Sequence, residues 1–195
     1  MSGNAVQPLG QYFRRVSYVV SKLDQAIEGC KAMFGVRDFM VVENLKLGPP
    51  NCLLRGSPAT IANSWALGDM PGGLAEIELI SPQGADGIFA EFLKQHGSGC
   101  RHHIGFRVPQ FKPYAEHFAK LGYRPLMQGS FSSESKNDFG NYEFAYFDCR
   151  MDGGPIVEIY WQDEESYERL HPFLGLDRAA RPSNFPWTRT PGFRR

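Results

Sequence analysis

One order of elements is written twice along this chain of 195 residues, and that repetition limits its fold more than any other feature. In the first half, residues 12–20 alternate and are rich in β-formers, which predicts a strand. A helix follows from Ser21, with Asp24 and Gln25 in its first turn. Ala26, Ile27, Cys30, Met33 and Phe34 recur in it at helical spacing, and Gly35 ends it. Residues 39–47, 59–67 and 74–80 read as further strands, broken by Gly48-Pro49-Pro50-Asn51 and by the turn 68–73. A short helix over 87–96 and the joint Gly97-Ser98-Gly99 lead to the second half. There the order recurs: a strand at 103–108, a helix at 113–121 stopped by Gly122, and strands at 123–131, 142–149 and 156–161. Each half is therefore β-α-β-β-β. Neither half alone buries both faces of its sheet, whereas two halves paired can. The expected class is α+β: a mobile lead-in over 1–10, a first module with its linking helix over 11–97, a second over 98–162, and an Arg-, Pro- and aromatic-containing arm over 163–195.

Charge narrows the partners. Lys plus Arg and Asp plus Glu each number 21, a balance that argues against a chain built to hold nucleic acid. Apolar runs such as 39–42 fall far short of the ~18 residues of a spanning helix, so no membrane partner is expected. The first residues have no apolar stretch of the signal-peptide kind. Cys30, Cys52, Cys100 and Cys149 show no CxxC spacing and read as reduced, mostly buried thiols of a cytoplasmic protein. Residues 178–195 carry five Arg and three Pro but no acid, with Phe185, Trp187 and Phe193 as apolar anchors. They read as an arm lying on the body or on a second subunit, and a homodimer is expected. The Ser-rich stretch 129–135 reads as a hairpin loop or a lid.

The strand centres carry the chemistry. Side chains alternate along a strand, so His103, Gly105 and Arg107 share a face, as do Ile156, Glu158 and Tyr160. Arg15, Ser17 and Val19 go together in the first module, and so do Glu76, Glu78 and Ile80. A carboxylate in the middle of an apolar strand is costly to bury unless it is paired or bound to a metal. Glu78 and Glu158 stand at equivalent repeat positions, with a His-His pair heading another strand, a donor set that suits a divalent transition ion. Spacing alone leaves two plainer readings open: Glu158 paired with Arg15 or Arg107, and His103 as a satisfied core residue. His102 faces the other way in a regular strand and is not counted as a ligand. Patterns for dinucleotide, nucleoside triphosphate, HExxH and GxSxG sites are absent.

Residues 77–108, IELISPQGADGIFAEFLKQHGSGCRHHIGFRV, resemble the vicinal oxygen chelate superfamily in its glyoxalase-like and methylmalonyl-CoA epimerase-like members. Residues 15–35 and 144–161 resemble it more loosely, and the likeness spans about residues 12–162. The resemblance implies paired βαβββ modules curled into an open cup. It also implies a divalent ion (Zn, Co, Ni, Mn or Fe) held by one ligand from each of four strands. Glu78, His103 and Glu158 match ligand positions. Arg15 stands where the fourth ligand, a His, is expected, and a guanidinium cannot ligate a metal. Either three ligands hold the ion, or Arg15 replaces it as the cation. Residues 59–68 lack the carboxylate that a two-base epimerase places on that strand. The implied function is a lyase or isomerase acting on a small carboxylate- or carbonyl-bearing substrate by proton abstraction and oxyanion stabilisation. Glu158 would be base or ligand, His103 ligand or hydrogen-bond donor, and Arg15 an anion anchor. The alternatives are a non-catalytic ligand-binding protein on the same fold, or a ring-cleaving dioxygenase relative. The latter needs two His, of which one matches.

Overall fold

The computed structural model describes residues 6–73, 75–132 and 140–170. The expected arm over 178–195 and residues 133–135 of the Ser-rich stretch lie outside them. The first module contains β1 (Phe13–Val19), α1 (Leu23–Phe34), β2 (Met40–Leu47), β5 (Ile61–Asp69) and β6 (Glu76–Pro82), with α2 (Ile88–His96) after it. Between β2 and β5 lies a hairpin of β3 (Cys52–Leu54) and β4 (Ser57–Pro58). The second module contains β7 (Cys100–Arg107), α3 (Phe111–Lys120), β8 (Pro125–Phe131), β9 (Tyr142–Asp148) and β10 (Ile156–Gln162), followed by α4 (Glu164–Leu170).

The ten strands of the described residues form one sheet, in the order β2-β5-β6-β1-β7-β10-β9-β8-β3-β4. Each module pairs its first and last strands in parallel, β1 with β6 and β7 with β10. The antiparallel pair β1–β7 joins the modules at the centre. The sheet curls until its ends meet: a Cβ on Gly129 of β8 would lie 2.8 Å from Cδ2 of Leu47, at the end of β2. The β3–β4 hairpin, part of an expected loop, extends this closure because β3 pairs with β8. Arg55 then pairs with Glu91 of α2 at 2.5 Å.

Apolar alternation divides the core in three. Inside the curl, Val19, Ile80, Met127, Phe144, Tyr146, Ile156 and Tyr160 are buried with Phe89 of α2. Outside it, α1 covers Ala66, Ile77 and Leu79, and α3 covers Ala145, Phe147, Val157 and Ile159. Val6, Leu9 and Tyr12 pack into the α3 cluster, and the Tyr12 ring meets Tyr114 edge-on at 5.6 Å. The lead-in is therefore anchored from residue 6, because these apolar side chains fill the space beside α3. The helix α1 begins at Leu23 and not at Ser21, whose backbone N–H instead donates to the Ser98 hydroxyl at 2.9 Å. Among the described residues, no helix is long and apolar enough to cross a membrane.

Candidate functional site

The central pair β1–β7 carries two bulges. Phe13 pairs with Phe106 and Arg15 with Gly105, so Arg14 is an extra residue on β1. Ser17 pairs with His103 and Tyr18 with Arg101, so His102 is an extra residue on β7. A bulge sets two successive residues against one partner, which interrupts the alternation of faces. Arg14 and Arg15 therefore both reach the acids of β6, and His102 and His103 meet, Nδ1 to Nδ1, at 2.9 Å. The expectation that His102 faces away fails for this reason.

Arg15, Glu78, His103 and Glu158 come together on the floor of the cup, each at most 5% exposed. Arg15 Nη1 is 3.0 Å from Glu78 Oε1 and 3.9 Å from Glu158 Oε2, and the guanidinium lies 4.0 Å above the Tyr160 ring. His103 Nε2 is 3.2 Å from Glu78 Oε2 and 3.4 Å from Glu158 Oε2. Ser17 Oγ donates to Glu78 Oε2 at 2.5 Å. Glu158 is held more loosely. Tyr142 Oη donates to its Oε1 at 3.4 Å, and its buried Oε2 accepts no hydrogen bond. Gly105 makes the approach possible: a Cβ there would sit 2.5 Å from Arg15 Cγ and 2.8 Å from Glu158 Oε2.

The charges follow from these contacts. Burial opposes ionisation of Glu78, but the Arg15 guanidinium, His103 and Ser17 outweigh it and hold the carboxyl at about 2. Burial also disfavours a charged His103, yet Glu158 and Glu78 together raise it above its ordinary value. Burial, and then the charge of His103, pushes His102 down to about 2, so it stays neutral. In the short contact His103 is then the donor and His102 the acceptor. Burial first, and Glu158 second, raise the phenols of Tyr142 and Tyr146, which remain protonated donors.

Donor atoms of Glu78, His103 and Glu158 lie within 4.8 Å of one another. Ligands about 2.05 Å from a tetrahedral ion are about 3.3 Å apart, so the two histidine–carboxylate separations suit one. His103 Nε2 and Glu158 Oε2 are also buried without hydrogen bonds, as ligand atoms awaiting an ion would be. These three residues can hold a divalent ion. Arg15 with a protonated His103 balances the two carboxylates without one.

Sequence reasoning missed Arg14, Asp69 and the clustering of tyrosines. Arg14 is fully buried, with Nη2 at 2.6 Å from Glu76 Oε1 and 3.1 Å from Asp69 Oδ1. The strand β5 runs two residues beyond its expected end and brings Asp69 in, but this carboxylate is bound to Arg14. The signal for Arg14 was the doubled Arg14-Arg15, which mirrors His102-His103. The space left in the cup is about 30 Å³, lined by Arg15, Glu78, Glu158, Trp65, Phe131 and Tyr142 among others.

The sequence pattern of the Glyoxalase/Bleomycin resistance protein/Dioxygenase superfamily matches residues 14–142. The chain belongs to this superfamily. Solved structures of similar fold agree with that placement in the vicinal oxygen chelate group. Methylmalonyl-CoA epimerase from Mycobacterium tuberculosis superposes with a TM-score of 0.56 at 19% identity, over 84% of this chain and 96% of that one. A methylmalonyl-CoA epimerase in complex with methylmalonyl-CoA and NH4+ gives 0.55 at 18%, over 78% and 95%. A Streptomyces coelicolor methylmalonyl-CoA epimerase variant in complex with 2-nitronate-propionyl-CoA gives 0.54 at 18%, over 78% and 94%. No curated protein matches at the sequence level. Like other vicinal oxygen chelate proteins, this one builds its cup from two βαβββ modules. The inserted β3–β4 hairpin and the trailing α4 add to that plan.

Proposed function

We propose that this superfamily member is an isomerase or lyase that removes a proton beside a carboxylate or carbonyl of a small substrate. The carrying observation is Glu158 Oε2: ionisable, buried, without a hydrogen bond, and facing both Arg15 and His103. A general base needs a carboxylate whose lone pair is free, and Glu78, held by Ser17 and Arg15, has less to give. Arg15 would anchor the anion, and protonated His103 would donate to the developing oxyanion. In the alternative arrangement, neutral His103 would hold a divalent ion with Glu78 and Glu158 as ligands, and the ion would supply Lewis-acid stabilisation in place of the protonated imidazole. The ligand named for the Streptomyces relative supports an anionic intermediate, since a nitronate is planar and charged like an enolate. A two-base epimerisation is not part of the proposal, because Asp69 is committed to Arg14.

Deuterium incorporation from D2O, followed by mass spectrometry across a panel of 2-carboxyacyl thioesters and 2-oxo acids, tests this reading. Exchange into one substrate class is expected, with a loss of ~10²-fold or more in Glu158→Gln. Full exchange in that variant removes Glu158 from the mechanism. The second reading, a binding protein without turnover, is favoured by Arg15, a permanent cation in the cluster that can hold an anion without any bond being made or broken. It prevails where a panel compound binds and no exchange occurs. Assembly as a homodimer belongs to the same proposal, and a monomer mass in sedimentation equilibrium would remove it.

A further inference from the structure

One end of the cup is where β1 and β6 begin and β7 and β10 end, and α4 sits across it. Asp163 starts that helix: its Oδ1 accepts the Ser166 N–H at 2.8 Å and its Oδ2 accepts the Asn141 N–H at 2.7 Å. Gly140 is pressed against the helix, since a Cβ there would lie 1.6 Å from Ser166 Oγ. Tyr167, 3% exposed, points inward, with the guanidinium of Arg107 at 3.4 Å from its ring and that of Arg14 at 5.9 Å. Glu164 Oε2 accepts from Arg107 Nη2 at 2.9 Å, while Glu164 Oε1 is buried without a partner.

Arg107 shares its strand face with His103 and Gly105. It lies one two-residue repeat past Gly105, about 6.6 Å along β7 toward α4. Its register partner on β10 is Tyr160, the ring that carries the Arg15 guanidinium. Arg14 and Arg107 differ in their ties. Arg14 is fixed by Asp69 and Glu76 of the sheet. Among the described residues, the acid paired with Arg107 is Glu164, which belongs to the helix and not to the cup wall. Arg107 Nη2 also donates to the backbone carbonyl of Gln162 at 3.3 Å, while its charge is met by one oxygen of a carboxylate on a single short helix, an arrangement suited to exchange.

We propose that Arg107 is a second anion anchor of the cup and that Glu164 is a built-in stand-in for the group it binds. The ligand class is then a small dianion, with one carboxylate or equivalent oxyanion for Arg15 and another, a few bonds away, for Arg107. α4 moves aside as the ligand displaces Glu164. The proposal rests on reading the cup as a small-molecule site. It adds the charge pattern of the ligand and the route of entry. A tethered carboxylate competes at a high effective concentration, so the resting chain binds such a ligand more weakly than the anchors allow.

Calorimetric titration with glutarate and succinate, against propionate as a one-carboxylate control, tests this without turnover. Glu164→Gln and, independently, Gly140→Ala, which dislodges α4 from outside the cup, should each bind a dicarboxylate roughly tenfold more tightly than the parent, with propionate unchanged. Arg107→Gln should reduce dicarboxylate affinity to that of propionate. The proposal is overturned if Arg107→Gln leaves dicarboxylate binding unaltered, or if Glu164→Gln and propionate-type binding rise together. It is also overturned if no variant that melts like the parent binds either dicarboxylate. Dicarboxylate binding that follows this pattern, with no deuterium exchange on any substrate, would sink the proposed chemistry and leave the anchor standing.

Discussion

The two modules place the same three kinds of position around the cup and fill them differently. In the first, Arg15 and Ser17 of β1 face Glu78 of β6; in the second, His103 and Gly105 of β7 face Glu158 of β10. Ser17 gives Glu78 a hydroxyl, and Gly105 gives Glu158 only space. Arg15 is a permanent cation, whereas His103 is one that can lose its proton. One carboxylate is consequently locked and its repeat-mate is left with an uncommitted oxygen. A duplicated frame thus yields an asymmetric site by changing two residues on each side.

Making the halves unlike in charge should cost most. Arg15→Met leaves the two buried carboxylates with His103 as the one cation against both, and should lower stability by about 3–5 kcal/mol in denaturant unfolding. A loss below about 1 kcal/mol would show that Arg15 does not balance them. Making the halves alike, by Arg15→His, should instead create a fourth ligand, and Co titration followed by absorption should show tighter binding than in the parent. Equal affinity would place residue 15 outside the ion's reach. Ser17→Ala removes a hydrogen bond to an ionised, buried carboxylate and should cost about 1.5–3 kcal/mol. Gly105→Ser, which copies Ser17 into the second module, crowds Arg15 and Glu158 and should cost about 1–3 kcal/mol. If Gly105→Ser is neutral and Ser17→Ala costless, the contrast between locked and free carboxylate fails.

The same contrast should be visible in the pH dependence. The Glu78 carboxyl is held at about 2, below its ordinary 4.5, so its stabilisation is present above 4.5 and lost as pH falls toward 2. His103 is raised above 6.5, so its contribution is full below 6.5 and fades as pH rises through its folded value. Melting curves across pH should show both limbs, and Glu78→Gln should flatten the acid one and shrink the other, because Glu78 also helps to raise His103.

Much of this was legible in the residues because period-two alternation is local. It put Arg15 with Ser17 and His103 with Gly105 on shared faces, while the joining of Arg15, Glu78, His103 and Glu158 in one site was what the family resemblance implied. The bulges were not legible as such, since an inserted residue leaves no pattern of its own. His102 therefore read as pointing away, and Arg14 was not counted at all. The β3–β4 hairpin escaped because it is short and its partner β8 lies more than seventy residues onward. The helix α4 had a signal in Asp163-Glu164-Glu165, a cap with acids in the first turn, but the arginines and prolines beyond it drew the whole segment into an arm.

The hairpin that crosses from one module to the edge of the other bears on how the chain reaches this state. Cys52 pairs with Gly129, so the first half cannot complete its strand set until the second has formed. On the ribosome, residues 52–58 wait for a partner not yet synthesised, and the edge of β8 appears last among the contacts they need. Pairings so distant in sequence form slowly. Severing the chain at Gly97–Gly99 should therefore yield fragments that assemble only with each other, however complete each repeat looks on paper.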